Sequence, residues 1–109
     1  MNTKEYTDLT FVGTDSPAIY LAKHILTALV IPVDTDYDGK SLTVKAGNST
    51  TDLKQVYDQD GDAVVIQIGS NRYIFLDLQN FAGATYLQFV ASASLDGKTI
   101  KAVTFNTQE

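Results

Sequence analysis

Cysteine and tryptophan are absent from this chain of 109 residues, and histidine and methionine occur once each and proline twice. Without thiols there is no disulfide framework and no thiolate metal site, so apolar burial and backbone ladders must hold the fold together. No run of about 18 apolar residues occurs, which argues against a membrane-spanning helix, and the opening MNTKEYTDLT lacks the basic-then-apolar order of a secretion signal. The expectation is a soluble protein made in the cytoplasm, with no membrane partner. Cations are scarce as well: eight Lys and Arg stand against thirteen Asp and Glu, for a formal charge of −5. Phosphate contacts need clustered cations, so no nucleic-acid partner is expected.

What the chain does have is alternation. In RYIFLDL, residues 72–78, Ile74, Leu76 and Leu78 fall on one side and Tyr73, Phe75 and Asp77 on the other, the period of two that a pleated strand imposes. After a short corner at residues 79–83, Leu87, Phe89 and Ala91 repeat the pattern. Leu42, Val44 and Ala46 do the same, as do Val64, Ile66 and Ile68. Further strands are expected around Leu9 and Phe11, at 53–57 and at 99–105. Residues 18–31 are ambiguous: Ile19, Lys23, Leu26 and Val30 fit a helix, but HILTALVIP is rich in β-branched residues and stops at Pro32, so a strand from residue 23 or 24 to Ile31 is expected. With Gly, Asn and Asp turns between them, about eight strands predict an all-β, single-domain antiparallel β-sandwich. Residues 1–6 are expected to form a flexible arm, 7–106 the sandwich and 107–109 a polar tail.

If successive strands reverse direction, residues 34–38, 58–62 and the corner after Asp77 gather at one acidic end. Residues 48–51, 69–71 and 95–98 then share the other, nearly neutral end. Several strands are apolar on both faces, with Leu29 and Ile31 against Leu26, Ala28 and Val30 in one of them. A small sandwich needs one apolar face per sheet, so the surplus predicts a covered outer face or self-association.

Chemistry-bearing groups are few. DTDYDG, residues 34–39, sets Asp34, Asp36 and Asp38 at the first, third and fifth positions of a calcium loop, with Gly39 at the sixth. Lys45 stands at the twelfth position, where a bidentate Glu is needed, and no helices flank the segment. DQDGD, residues 58–62, offers further oxygens. The competing reading, solvated Asp and Gly turn residues, is the stronger, and no cofactor is expected. His24 is the only histidine, and neither Ser16 nor Ser49 lies in a nucleophile elbow, so the chain is not expected to be an enzyme. Tyr37 is the aromatic best placed to stack on a sugar.

Four segments together carry a family resemblance: ILTALVIP at 25–32, DGKSLTVKAG at 38–47, QVYDQDGDAV at 55–64 and RYIFLDLQNFAGATYLQF at 72–89. Their order resembles that of small structural proteins of tailed bacteriophages, the jelly-roll β-sandwich subunits that decorate or cement the head. Departures fall in turns, with GNSTTDLK ahead of the VYD strand and Leu78 where proline is expected. The resemblance implies no catalytic residue. It implies a virion protein, a homodimer or homotrimer, that binds the shell of major capsid protein; one loop end and the arm, residues 1–6, are the expected contacts. Neck or tail placement and a host-directed carbohydrate-binding module are the alternatives.

Overall fold

The computed structural model describes residues 3–21, 24–77 and 84–106. Among the described residues nine strands follow one another: β1 (Thr3–Thr10), β2 (Ile19–Tyr20), β3 (His24–Ile31), β4 (Ser41–Gly47), β5 (Lys54–Gln55), β6 (Val65–Gln67), β7 (Arg72–Phe75), β8 (Tyr86–Ala91) and β9 (Thr99–Asn106). One sheet has the order β1-β9-β3-β7; in the other, β2-β8-β4 is followed by β5 and β6, both paired with β4. Every pairing is antiparallel: β1 with β9, β2 with β8, β3 with β7 and β9, and β4 with β8, β5 and β6. Counted with β5 and β6 as one interrupted strand, the chain is a long hairpin rolled up on itself. That nesting, outermost strand with outermost strand, makes the fold an antiparallel jelly-roll β-sandwich.

The core lies between the sheets and is supplied by the alternating residues read from the sequence. Leu42 and Val44 of β4, Leu87, Phe89 and Ala91 of β8, and Val64, Ile66 and Ile68 around β6 are all buried there. Strand β3 departs from strict alternation. Its register shifts between Leu26 and Ala28, and the Thr27 hydroxyl donates to the Val103 carbonyl at 3.1 Å. One extra residue at this bulge puts Leu26, Leu29 and Ile31 on the inner face and leaves Ala28 and Val30 outside. The expected two-sided division, with Leu26 beside Ala28 and Val30, is corrected accordingly. The segment that fitted either a helix or a strand is a strand, His24–Ile31, as its β-branched content and Pro32 predicted.

Two further expectations change. Residues 3–6, expected in an arm, belong to β1, where Thr3, Lys4, Glu5 and Tyr6 stand opposite Asn106, Phe105, Thr104 and Val103. The expected division of the loops between two ends also fails, and the cause is local. The 58–62 turn does not join two neighbouring strands; it is an excursion within one. The Val56 amide donates to the Val44 carbonyl, the Val64 amide to the Val56 carbonyl, and β6 then continues along β4 in the direction of β5. One reversal is lost, so every later loop changes ends. Residues 69–71 and 95–98 join 32–40 and 11–18 at one end, 58–62 sits midway along the sandwich flank, and β7 carries the chain to the opposite end by Asp77. The shared end sets Asp15, Asp34, Asp36, Asp38 and Asp96 against Lys40, Arg72 and Lys98.

Candidate functional site

At that loop end the DTDYDG segment forms a single 3-10 turn, Thr35–Tyr37, rather than a metal cradle. Asp34 caps the turn, its carboxylate accepting the Asp36 amide at 2.9 Å. Asp38 faces away and accepts the Ser70 amide at 2.8 Å. Between Asp34 and Asp36 lies an ammonium group: Lys98 Nζ is 2.8 Å from one carboxylate and 2.9 Å from the other. The hydrogen bond from Lys98 holds the Asp34 carboxyl below its usual range, and its two carboxylate partners raise the Lys98 pKa in turn. Lys40 Nζ adds a bond to the Asp36 carbonyl. Among the described residues, no group of three or more carboxylates, histidines or cysteines is arranged to hold a metal ion. In DQDGD, Asp58 is committed to its own turn and accepts the Asp60 and Asp62 amides at 2.9 and 3.0 Å.

The other sequence candidates are dispersed. His24 opens β3 at the far end, its Nε2 2.7 Å from Glu5 and its Nδ1 3.1 Å from the Leu21 carbonyl. Both ring nitrogens face acceptors, and only the imidazolium can donate from both. The hydrogen bond with Glu5 accordingly raises the His24 pKa. Ser16 is buried at the opposite, loop end, donating to the Pro17 carbonyl and accepting the Phe89 amide. Ser49 bonds Thr51 in the turn after β4. Among the described residues no serine is hydrogen-bonded to His24. Tyr37, the sugar-stacking candidate, is only 1 % exposed, and its hydroxyl donates to the Thr99 carbonyl at 2.7 Å. Burial raises its pKa. It anchors the loop to β9 and presents no face to a ligand.

Most of the exposed aromatics lie elsewhere, on the outer face of the β1-β9-β3-β7 sheet, while Tyr20 and Tyr57 are exposed on the other sheet. Register aligns Tyr6, Val103, Ala28 and Phe75 in one row, with Lys4, Phe105 and Ile25 on one side of it and Asp8, Lys101, Val30 and Tyr73 on the other. Tyr6, Tyr73, Phe75 and Phe105 are exposed, Phe75 to 79 %. Tyr73 packs on Phe75 with ring centroids 5.1 Å apart. Burial raises the Tyr73 pKa, and the nearby Tyr6 hydroxyl adds to the rise. These two strands are three interstrand spacings of about 4.8 Å apart, so the two rings must lie across β9 and β3 to meet. That roof explains why Val103 and Ala28 are buried on a solvent-facing side. Beside it a depression of about 270 Å³ is lined by Asp8, Val30, Pro32, Thr99 and Lys101.

Sequence reasoning anticipated surplus apolar surface on the strand at 72–76, which carries Tyr73 and Phe75, without the neighbours that complete the face. The signal was present in the shared parity of Tyr73 with Phe75 and of Val103 with Phe105, but the pairing of β1 with β9 was needed to set Tyr6 beside them. It also missed Lys98, which reaches Asp34 from 64 residues away, and the pairing of Glu5 with His24.

These features define a jelly-roll sandwich with one aromatic sheet face and a polar, cross-linked loop end. Compared with solved structures, the chain is similar in fold to the SPBc2 prophage-derived protein YomS, at 11% identity and a TM-score of 0.63, over 96% of this chain and 95% of that one. A lesser likeness, with 10% identity and a TM-score of 0.44, is to the CBM32 of AlyQ in complex with 4,5-unsaturated mannuronic acid, over 94% of this chain and 78% of that one. No family model matches the chain, and no curated protein matches it in sequence.

Proposed function

We propose that the chain is a non-enzymatic structural subunit of a bacteriophage particle, of the capsid decoration type, that works by binding surfaces and not by reaction chemistry. The observation that carries this reading is the concentration of exposed aromatic side chains on one sheet face, beside a depression, while the chain's sharpest candidate chemistry is consumed in turns, caps and ion pairs. The resemblance of its four segments to phage decoration subunits supports the particle setting, as does a fold shared end to end with a prophage-derived protein. The alternative as a sugar-binding module loses the tyrosine on which it rested.

Contact with the head shell falls to the loop end, where Val12 and Val33 are 77 % and 79 % exposed. Two bare valines on a polar end are disfavoured in water and rewarded by burial at roughly 1.5 kcal/mol or more apiece. Co-sedimentation with empty head shells of the encoding phage tests the reading. The parent protein is expected to pellet with shells and the Val12→Ser, Val33→Ser double variant to require about tenfold or more protein for equal occupancy. A parent protein that stays in the supernatant at every concentration would refute the shell as its partner.

A further inference from the structure

We infer that the flank between β6 and β7 is a docking groove for an extended segment of another polypeptide, which adds to β7 as an antiparallel strand. The inference rests on the reading above that the protein works by its surfaces, and it uses a surface apart from the loop end.

The first observation is an open edge. Strand β7 ends the β1-β9-β3-β7 sheet, and β6 pairs only with β4 in the other. An antiparallel ladder bonds alternate residues of a strand to the same neighbour. The Leu76 amide donates to the Thr27 carbonyl and Phe75 stands opposite Ala28, so Arg72, Ile74 and Leu76 are the residues that bond β3. The backbone N–H and C=O groups of Tyr73 and Phe75 therefore point away from the sheet. Exposed edges are ordinarily guarded by charge, proline or a bulge. At the opposite border of this sheet β1 carries Lys4, Glu5 and Asp8. From Tyr73 to Phe75, and along β6, there is no charged residue, proline or register shift.

The second observation is the groove that this edge overlooks. It holds about 260 Å³, and its buried or half-buried lining is Val64, Ile66, Ile74 and Leu76. Val65 and Phe75 stand exposed beside them, to 49 % and 79 %. Small-molecule pockets run from about 300 to 1,000 Å³, so this one suits a pair of apolar side chains better than a free ligand. A strand added to β7 supplies such a pair. Its residues opposite Ile74 and Leu76 point inward as those two do, over Ile66.

The third is charge. Strand β6 runs toward the loop end and β7 away from it, so Val64 and Asp77 share one end of the groove. The excursion that leads into Val64 adds the exposed Asp60 and Asp62. A molecule of charge −5 opposes a second copy of itself, and this end favours a cation. An antiparallel partner enters from the acidic end, so its Lys or Arg precedes its apolar residues. The occupant is thus a segment that reads cation, apolar, any residue, apolar.

Calorimetric titration with the acetylated and amidated peptide Thr-Lys-Leu-Thr-Val-Thr tests this, and the parent protein is expected to bind it. Methylating the backbone nitrogens of the second and third threonines, which face Phe75 and Tyr73, should weaken binding about tenfold or more, because two ladder bonds are lost. Glutamate in place of the peptide's lysine should also weaken binding, and less so as salt is raised. Val65→Lys and Phe75→Lys, both at exposed positions, should each weaken binding about tenfold or more with an unchanged melting temperature. Val33→Ser, at the loop end, should bind like the parent. No binding by the parent, equal binding of the methylated or the glutamate peptide, or indifference to both groove variants would each overturn the inference. So would a dimer of the parent, seen in sedimentation velocity, that Val65→Lys abolishes, since a second copy would then fill the groove. Shell binding separates this from the broader reading: a parent that ignores the peptide yet pellets with shells defeats the groove alone, and one that binds the peptide but not shells defeats the shell placement alone.

Discussion

The His24 ring is held from two sides by acceptors, and this gives the protein a pH dependence of definite sign. Its pKa is raised above 6.5 in the folded state by the Glu5 hydrogen bond. A raised pKa means that the stabilisation is fully present below the unfolded value and is lost as pH rises through the folded one. Glu5→Gln should therefore be less stable than the parent at pH 5.5, and the gap between their melting temperatures should narrow by pH 8.5. A gap that widens with pH would contradict the ionised pair. Tyr37 is the second instructive residue. Tyr37→Phe keeps the packing but leaves the Thr99 carbonyl without its partner, an expected loss of about 1 kcal/mol, read as a fall of about 5 °C in melting temperature. From the sequence, Tyr37 suited a sugar platform because its acidic neighbours mark a surface loop. Nothing local revealed that residue 99 would supply an acceptor beneath it.

At the scale of elements, the alternating segments were legible because a half-buried strand exposes every second residue. Strands β4, β6 and β8 bury the residues their alternation marks. Irregularities were what misled: the bulge that moved Leu26 to the inner face of an otherwise correctly expected β3, and the excursion at 58–62 that resembled a hairpin turn. Strand β2 escaped notice because two residues carry no periodic signal. Glycine at the end of β4 has an element-level role. A Cβ on Gly47 would lie 2.1 Å from the Asp52 carbonyl oxygen, so the returning turn can pack only against glycine. Gly47→Ala should destabilise by about 2 kcal/mol, measured by the urea midpoint, because the contact is backbone and cannot rotate away. Strand β1 is the other test. Removing residues 1–6 deletes the pairs from Thr3–Asn106 to Tyr6–Val103 and half of the roof over Val103. The truncated protein should melt several degrees lower, whereas a dispensable arm would leave the transition unchanged.

For the whole molecule, the rolled hairpin makes almost every stabilising pair distant in sequence, β1 with β9 most of all. Loop closure must precede the reward of those contacts, so refolding in the millisecond-to-second range is expected in stopped-flow fluorescence of the tyrosines, and microsecond folding would contradict the topology. The same topology explains what composition, alternation and turn residues determined unaided: an all-β, cysteine-free sandwich with more apolar surface than one core requires. These are short-range properties, since pleating and turn preference act over a few residues. The tertiary structure alone decided which loops share an end, that Lys98 stands between Asp34 and Asp36, and that Tyr6, Tyr73, Phe75 and Phe105 share one sheet face. Each depends on register between strands far apart in the chain, and one extra or missing reversal, such as the excursion at 58–62, redirects everything after it.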